Sequence, residues 1–352
     1  MNTAMNAGEK TIEWLYREDL RVDEGWSVRV PQGFIWWPDQ NAQRIEIVGA
    51  EFSQRAEEDT FFVRVKTELL RDVTLDDRSL PIVNRSLMSL ASMSGPVYDA
   101  TKGVLSLSSL VRTYESIRGW MSHVISMAAV LQIFDNIGAE LADMLGATFA
   151  TSGHPKNGKR PTPDELAAGG LHAMIAAEGA KPCAWTKQFR EAEAYIHGPP
   201  SLLSNGDETG LTAEFPWDDF SSLCRFKSDE RHPRYGHGLF MKQSFPVPVK
   251  SEVDGIKLAL ELNAQELDQI PYGYGLGSYC FENRSLHFVA FYPNFISKFA
   301  SLENLYFASA TRARAVSTRL AGDDWSKQFT ADGPPKAKSA TELMARSYLR
   351  KK

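Results

Sequence analysis

The densest gathering of side chains that could do chemistry is Asp229-Glu230-Arg231-His232-Pro233-Arg234-Tyr235-Gly236-His237. Carboxylates and imidazoles in one short segment are the groups from which metal sites and acid–base pairs are built. A site drawn from Asp229, Glu230, His232 and His237 would serve a metal-dependent or histidine-assisted hydrolase. The spacing argues against it. His232 and His237 are not at the i, i+4 separation that sets two imidazoles on one helix face, and Pro233 and Gly236 oppose a helix. A solvated loop between strands is expected instead.

Other motifs point the same way. His154-Pro155-Lys156-Asn157-Gly158 repeats the His-Pro-basic-x-Gly pattern of His232 to Gly236, which would suit an anion-binding turn. The two pentads fall at different places in the chain's apparent repeat, so a coincidence of turn formers is the simpler account. Gly273, Gly275 and Gly277 spell GxGxG, yet a strand follows where a phosphate-binding loop needs a helix N-terminus. Cys280 reads as a buried apolar residue, and Ser278 lacks the nucleophile-elbow context. No Walker, zinc, kinase or paired-carboxylate pattern occurs, so no catalytic residue, metal or cofactor is expected.

The most suggestive feature for binding is the run Phe34-Ile35-Trp36-Trp37. In a strand, Ile35 and Trp37 point to one face and Phe34 and Trp36 to the other. If the sheet has a wet face, one pair stands on it unless helices or the other half of the chain cover it. Phe34, Trp36 and Trp37 are therefore the candidate binding residues, and burial is the competing expectation.

The elements that must position these residues follow from composition and pattern. The 352 residues carry a net charge of -5 and no clustered basic excess, which disfavours a non-specific nucleic-acid binder. The three cysteines, Cys183, Cys224 and Cys280, are far apart and form no CxxC, so a reducing cytoplasm is the expected setting. No apolar run reaches the roughly 20 uninterrupted residues of a membrane span, and the N-terminus lacks a signal-peptide core.

Residues 9–21 suit an amphipathic helix, followed by a hairpin at 26–37 and strands at 44–53 and 60–73 with one wet face. Helical spacing returns at 80–93, a strand pair follows at 98–111, and one long apolar helix is expected at 116–145. Turn formers fill 148–162, two short helices are expected at 167–179 and 185–196, and 198–210 reads as a linker. The second half offers strands at 211–217 and 220–226. Its next strand, 238–249, carries Pro246 and Pro248 and so is expected at a sheet edge. Residues 255–270 fit a helix, or a strand running into one at Asn263. A strand pair at 272–295, a helix at 301–320 and a polar tail complete the chain.

The halves thus share an order: strands, a helix, two strands, a long helix. Setting Tyr98 on Tyr279 brings Leu105 onto Leu286 and Leu107 onto Phe288, a duplication rather than a short repeat. The order resembles the type III secretion chaperone-like fold, including the bacterial YbjN-type domains. That resemblance implies a twisted antiparallel sheet packed by helices, protein binding, and no catalytic residues belonging to the fold. The expected architecture is α+β, with two similar units at 9–147 and 211–322, a helical connector at 148–210 and a tail at 323–352. The expected function is non-catalytic binding of another protein or peptide segment, with no nucleic acid or membrane as partner and self-association into a homodimer left open.

Overall fold

The computed structural model describes residues 5–53, 57–189, 192, 209–217, 220–247, 249–297 and 301–320, with backbone alone for 166–168, 216, 217 and 220. Helix α1 (Ala7–Trp14) starts at a capping box. The Asn6 side chain accepts from the Glu9 N–H and the Glu9 carboxylate accepts from the Asn6 N–H, which satisfies two orphan donors. Strands β1 (Ser27–Val30), β2 (Gly33–Trp36), β3 (Gln43–Ser53) and β4 (Glu58–Arg71) follow. Next come α2 (Ser79–Val83, continuing as a wider turn through Asn84–Met88), β5 (Gly95–Asp99), β6 (Val104–Thr113) and α3 (Arg118–Phe134). The strands form an antiparallel sheet ordered β1-β2-β3-β4-β6-β5.

One face of this sheet is sealed by the pleat itself. In β4, Val63, Val65, Thr67 and Leu69 are buried in alternation, the two-residue period of a strand. Helix α3 packs on β4 and β6 with Met121, Val124, Ile125 and Ala128 buried at helical spacing. The stretch Glu115–Phe134 is long and apolar enough to cross a membrane by length and composition. In the fold its apolar stripe is the cover of the first sheet.

After α4 (Gly138–Leu145), β7 (Thr148–Phe149) extends the end of β4, and α5 (Leu171–Ala180) leads towards the second sheet. That sheet uses β8 (Gly210–Trp217), β9 (Phe220–Lys227), β10 (Arg231–His232), β11 (Gly236–Phe245), β12 (Ser278–Glu282) and β13 (Ser285–Pro293). Helices α6 (Glu252–Asp268) and α7 (Ser301–Leu320) flank the β12–β13 hairpin in sequence. The order is β12-β13-β11-β9-β8, with β10 on β11. The fold is therefore α+β with two antiparallel sheets, and one buried cluster runs continuously through both.

Four expectations change. The single helix at 116–145 is two, α3 and α4, because Asp135 leaves the helix to make tertiary bonds and the Asn136 side chain accepts from the Gly138 N–H to start α4. Strand β11 is central, paired with β9 and β13; it stops at Phe245, so Pro246 lies beyond the ladder it would have broken, and Pro248 lies outside the described residues. The segment at 255–270 is helical, running from Glu252, where the Ser251 side chain accepts from the Asp254 N–H, to Asp268. The helix expected at 185–196 begins as a tight turn, Ala184–Gln188, and most of its remainder lies outside the described residues, as does the tail at 323–352.

Candidate functional site

The two sheets meet along a seam built by reciprocal reach. Helix α6 crosses onto β5 and β6 of the first sheet, where Ser108 Oγ donates to Leu267 O at 2.7 Å and Arg64 and Lys66 each reach Asp268 at 3.0 Å. In the other direction, the turn after α2 meets β12, and the buried Asn84 amide donates to Phe281 O (2.8 Å) and accepts from Phe281 N (3.0 Å). Leu110 and Gly275 exchange backbone bonds at 3.1 and 3.0 Å, and Phe291 N donates to Ser92 O at 3.2 Å. Glycine is required at 275 because a Cβ there would stand 2.6 Å from Leu110 O.

Beneath the second sheet lies a buried ion pair. Arg312 and Glu266 are 1% and 0% exposed. Arg312 Nη2 and Nε donate to Glu266 Oε1 at 2.7 and 3.1 Å, Nε also reaches Oε2 at 3.0 Å, and Tyr279 OH donates to Oε2 at 2.7 Å. The guanidinium also donates to Tyr274 O at 3.0 Å and stacks 3.5 Å above the Phe288 ring. Burial works to lower the Arg312 pKa, but the facing Glu266 carboxylate outweighs it and the net shift is upward. Burial first and Glu266 second hold the Tyr279 phenol well above its ordinary range. Every strong group here has a protein partner, so the cluster joins α6 to α7 and presents nothing to a substrate.

A more open cluster sits where the β10–β11 turn touches the first half. Asp135, freed by the end of α3, accepts from Ser92 Oγ, from Tyr235 OH at 2.6 Å and from Arg234 Nη1 at 3.2 Å. Burial raises its carboxyl above the usual range, with Ser92, Tyr235 and Arg234 opposing the rise. Burial and the Asp135 charge push the Tyr235 phenol up. His232 stacks against both Tyr235 and Phe291, with ring centroids 4.7 and 4.6 Å away, and those two rings lie 6.1 Å from each other. Burial, aided by Arg234, lowers its pKa to about 4, so the ring is neutral at physiological pH. Beside these residues is a cavity of about 50 Å³ bordered by Ser94, Leu87, Leu107 and Arg234.

The residues singled out in the sequence are not brought together. Asp229 and Glu230 are exposed, and Glu230 pairs with Lys227 at 2.7 Å. Arg231 lies opposite His237 and His232 opposite Gly236, which sends His232 and His237 to opposite faces of the ribbon. The segment thus gathers no acid and imidazole around one point. Among the described residues, no three His, Cys, Asp or Glu side chains are grouped as metal ligands. Cys224 and Cys280 are buried thiols pushed up to about 12 by burial, far from thiolate reactivity.

Phe34, Trp36 and Trp37 are 0%, 1% and 5% exposed. These aromatic side chains present no face to a partner, because each is buried, whereas Val28 and Ile35 on the opposite face of the hairpin are half-buried. Phe34 packs edge-on to Tyr16, Trp36 Nε1 donates to buried Gln43, and Trp37 lies beyond the strand against His154 and Ser152.

The two His-Pro pentads form the same kind of turn, as a recurrence of turn-forming residues would. Each histidine bridges the glycine four residues on, each accepts at Nδ1 from the N–H two residues on, and Gly158 and Gly236 have φ of 71° and 72°. They are turn-closing histidines.

Asp135, Ser94, Glu266 and Arg312 were not singled out by the sequence, and Tyr235 stood in the 229–237 run without a role. Two had signals. Asp135-Asn136 is a polar break in an apolar run, and Arg312 sits on the Leu305, Ser309, Val316 stripe of α7. Glu266 acquires its partners where α6 packs against α7 and β12, and Ser94 its surroundings only through the seam. Compared with known proteins, the chain matches no protein-family model, no curated protein and no solved structure.

Proposed function

We propose that the chain is a tandem of two chaperone-like units that binds an extended protein segment without catalysis. The strand orders β2-β3-β4-β6-β5 and β8-β9-β11-β13-β12 correspond, each with a helix before its last hairpin and a long helix after it. Matching those hairpins at their turns, Asp99/Val104 with Glu282/Ser285, sets Leu110 on Phe291 and Ser92 on Gly275. The seam bonds Leu110–Gly275 and Phe291–Ser92 are then one contact seen from both sides, as in an isologous pair. The polar core follows suit. Gln132 on α3 bonds Thr67 and Ser109, and Arg312 on α7 reaches Gln243, the residue of β11 that corresponds to Thr67. This supports the resemblance to type III secretion chaperone-like domains, whose members bind proteins. The three free cysteines support a reducing, cytoplasmic setting.

The observation that carries the binding reading is an open strand position. In the first sheet β2 pairs with β1, whereas its counterpart β8 ends the second sheet among the described residues. Ser228 N donates to Thr209 O, so the antiparallel alternation turns the backbone groups of Gly210, Thr212 and Glu214 away from β9. Pro216 shares that outward parity, where a proline removes no ladder bond. An extended segment added antiparallel to β8 would occupy the place β1 holds in the first half.

Peptides selected for binding from a displayed library test this by amide exchange. The Thr212 and Glu214 amides should exchange quickly in the free protein and slow at least tenfold with peptide. Unchanged exchange at both positions under saturating peptide would refute strand addition. Equal slowing with protein concentration alone would assign the edge to a second copy.

A further inference from the structure

The cavity between the α2 turn and the β10–β11 turn has a composition that specifies a ligand. Its volume is about 50 Å³, room for on the order of three or four waters or a carboxylate with its neighbouring carbons. Leu87 and Leu107, both buried, and Leu90, 62% exposed, supply apolar wall. Ser94, also on the wall, is 2% exposed, and its buried hydroxyl has no hydrogen-bond partner. A buried hydroxyl without a partner is costly unless something in the cavity accepts from it or donates to it.

The remaining polar wall is His232 and Arg234, which donate, Ser86, whose hydroxyl can donate or accept, and Asp135. His232 Nδ1 accepts from Arg234 N, which puts the proton of the neutral ring on Nε2. Arg234 is held at Nη1 by Phe134 O and Asp135, yet its side chain remains 46% exposed. The carboxylate on this wall is Asp135, and both its oxygens are engaged by Ser92, Tyr235 and Arg234. A ligand with acceptors and a short apolar stem suits this wall, because His232 and Arg234 donate and both serine hydroxyls can turn to donate.

We propose that this cavity binds a small carboxylate group, with its oxygens on Ser94, His232 and Arg234 and its adjoining carbon against Leu87 and Leu107. The group is either a free short-chain monocarboxylic acid or the side chain of an acidic residue in a peptide. The site is independent of strand addition at β8, on the far edge of the second sheet.

The test uses full-length protein with methyl-labelled leucines, titrated separately with propionate, 1-propanol and a capped glutamate dipeptide. Propionate should shift the Leu87, Leu90 and Leu107 methyls saturably, while 1-propanol, which matches its size without its charge, should bind at least tenfold more weakly. Ser94→Ala and Arg234→Gln, each at an unchanged melting temperature, should weaken propionate about tenfold or more. Tighter binding of the glutamate dipeptide than of propionate assigns the site to a peptide side chain; the reverse assigns it to a free acid. Unsaturated shifts from every probe, equal affinity for 1-propanol, or unaltered affinity in both variants would overturn the proposal.

Discussion

Removing the Glu266 carboxylate should be among the most damaging single changes in the molecule. In Glu266→Gln, Arg312 loses a charge partner that takes three contacts of 2.7–3.1 Å, and the guanidinium stays at 1% exposure with only neutral acceptors, Tyr274 O, Gln243 Oε1 and the new amide oxygen, in reach. Stranding one member of a buried pair costs about 3–5 kcal/mol. The introduced amide still offers Tyr279 OH an oxygen to donate to, so the loss isolates the charge. The assay is urea unfolding followed by far-UV circular dichroism, with the midpoint read at constant slope. A triple variant, Glu266→Leu with Arg312→Met and Tyr279→Phe, removes all three polar groups together. It should recover to within about 1–2 kcal/mol of the parent, because apolar replacements of a buried pair are near neutral. A loss below about 1 kcal/mol in Glu266→Gln, or a triple variant no better than the single, would refute this account of α6 docking on α7.

Three further outcomes follow from the same geometry. His232 and His287 have pKa values lowered by burial to about 4, so the unfolded chain binds more protons between about pH 4 and 6.5 and stability falls as pH drops through that window. After allowance for solvent reaching both rings, each contributes about 1–2 kcal/mol; Asp135, shifted upward, opposes them, and His232→Gln should flatten the melting-temperature profile between pH 6.5 and 4.5. Asn84→Ala frees both backbone groups of Phe281 in the seam and should cost about 1–3 kcal/mol in urea while accelerating amide exchange at Phe281. Gly158→Ala meets only backbone strain, about 1–2 kcal/mol, since nothing lies within 4 Å, whereas Gly236→Ala also drives a Cβ to 2.4 Å from Gly179 O and should lose clearly more in melting temperature.

Strand and helix types were largely written in the residues. Alternation marked β3 and β4, helical spacing marked α3 and α7, and the Pro-Gln-Gly turn marked the β1–β2 hairpin, because these signals depend on neighbours a few positions away.

Burial and partnership could not be read, because they depend on contacts far apart in sequence. Phe34, Trp36 and Trp37 alternate as a two-faced strand, yet Tyr16, Gln43 and His154 bury all three. The Asp229 to His237 segment looked like chemistry until its register set the two histidines on opposite faces. Asp135 became a hub only because β10–β11 packs Arg234 and Tyr235 against the end of α3, and Ser94 borders a cavity only where the two sheets meet. Local periodicity is fixed by covalent geometry along the chain. The sites are fixed by which faces the seam covers, and that is decided when both sheets bury their apolar sides in one core.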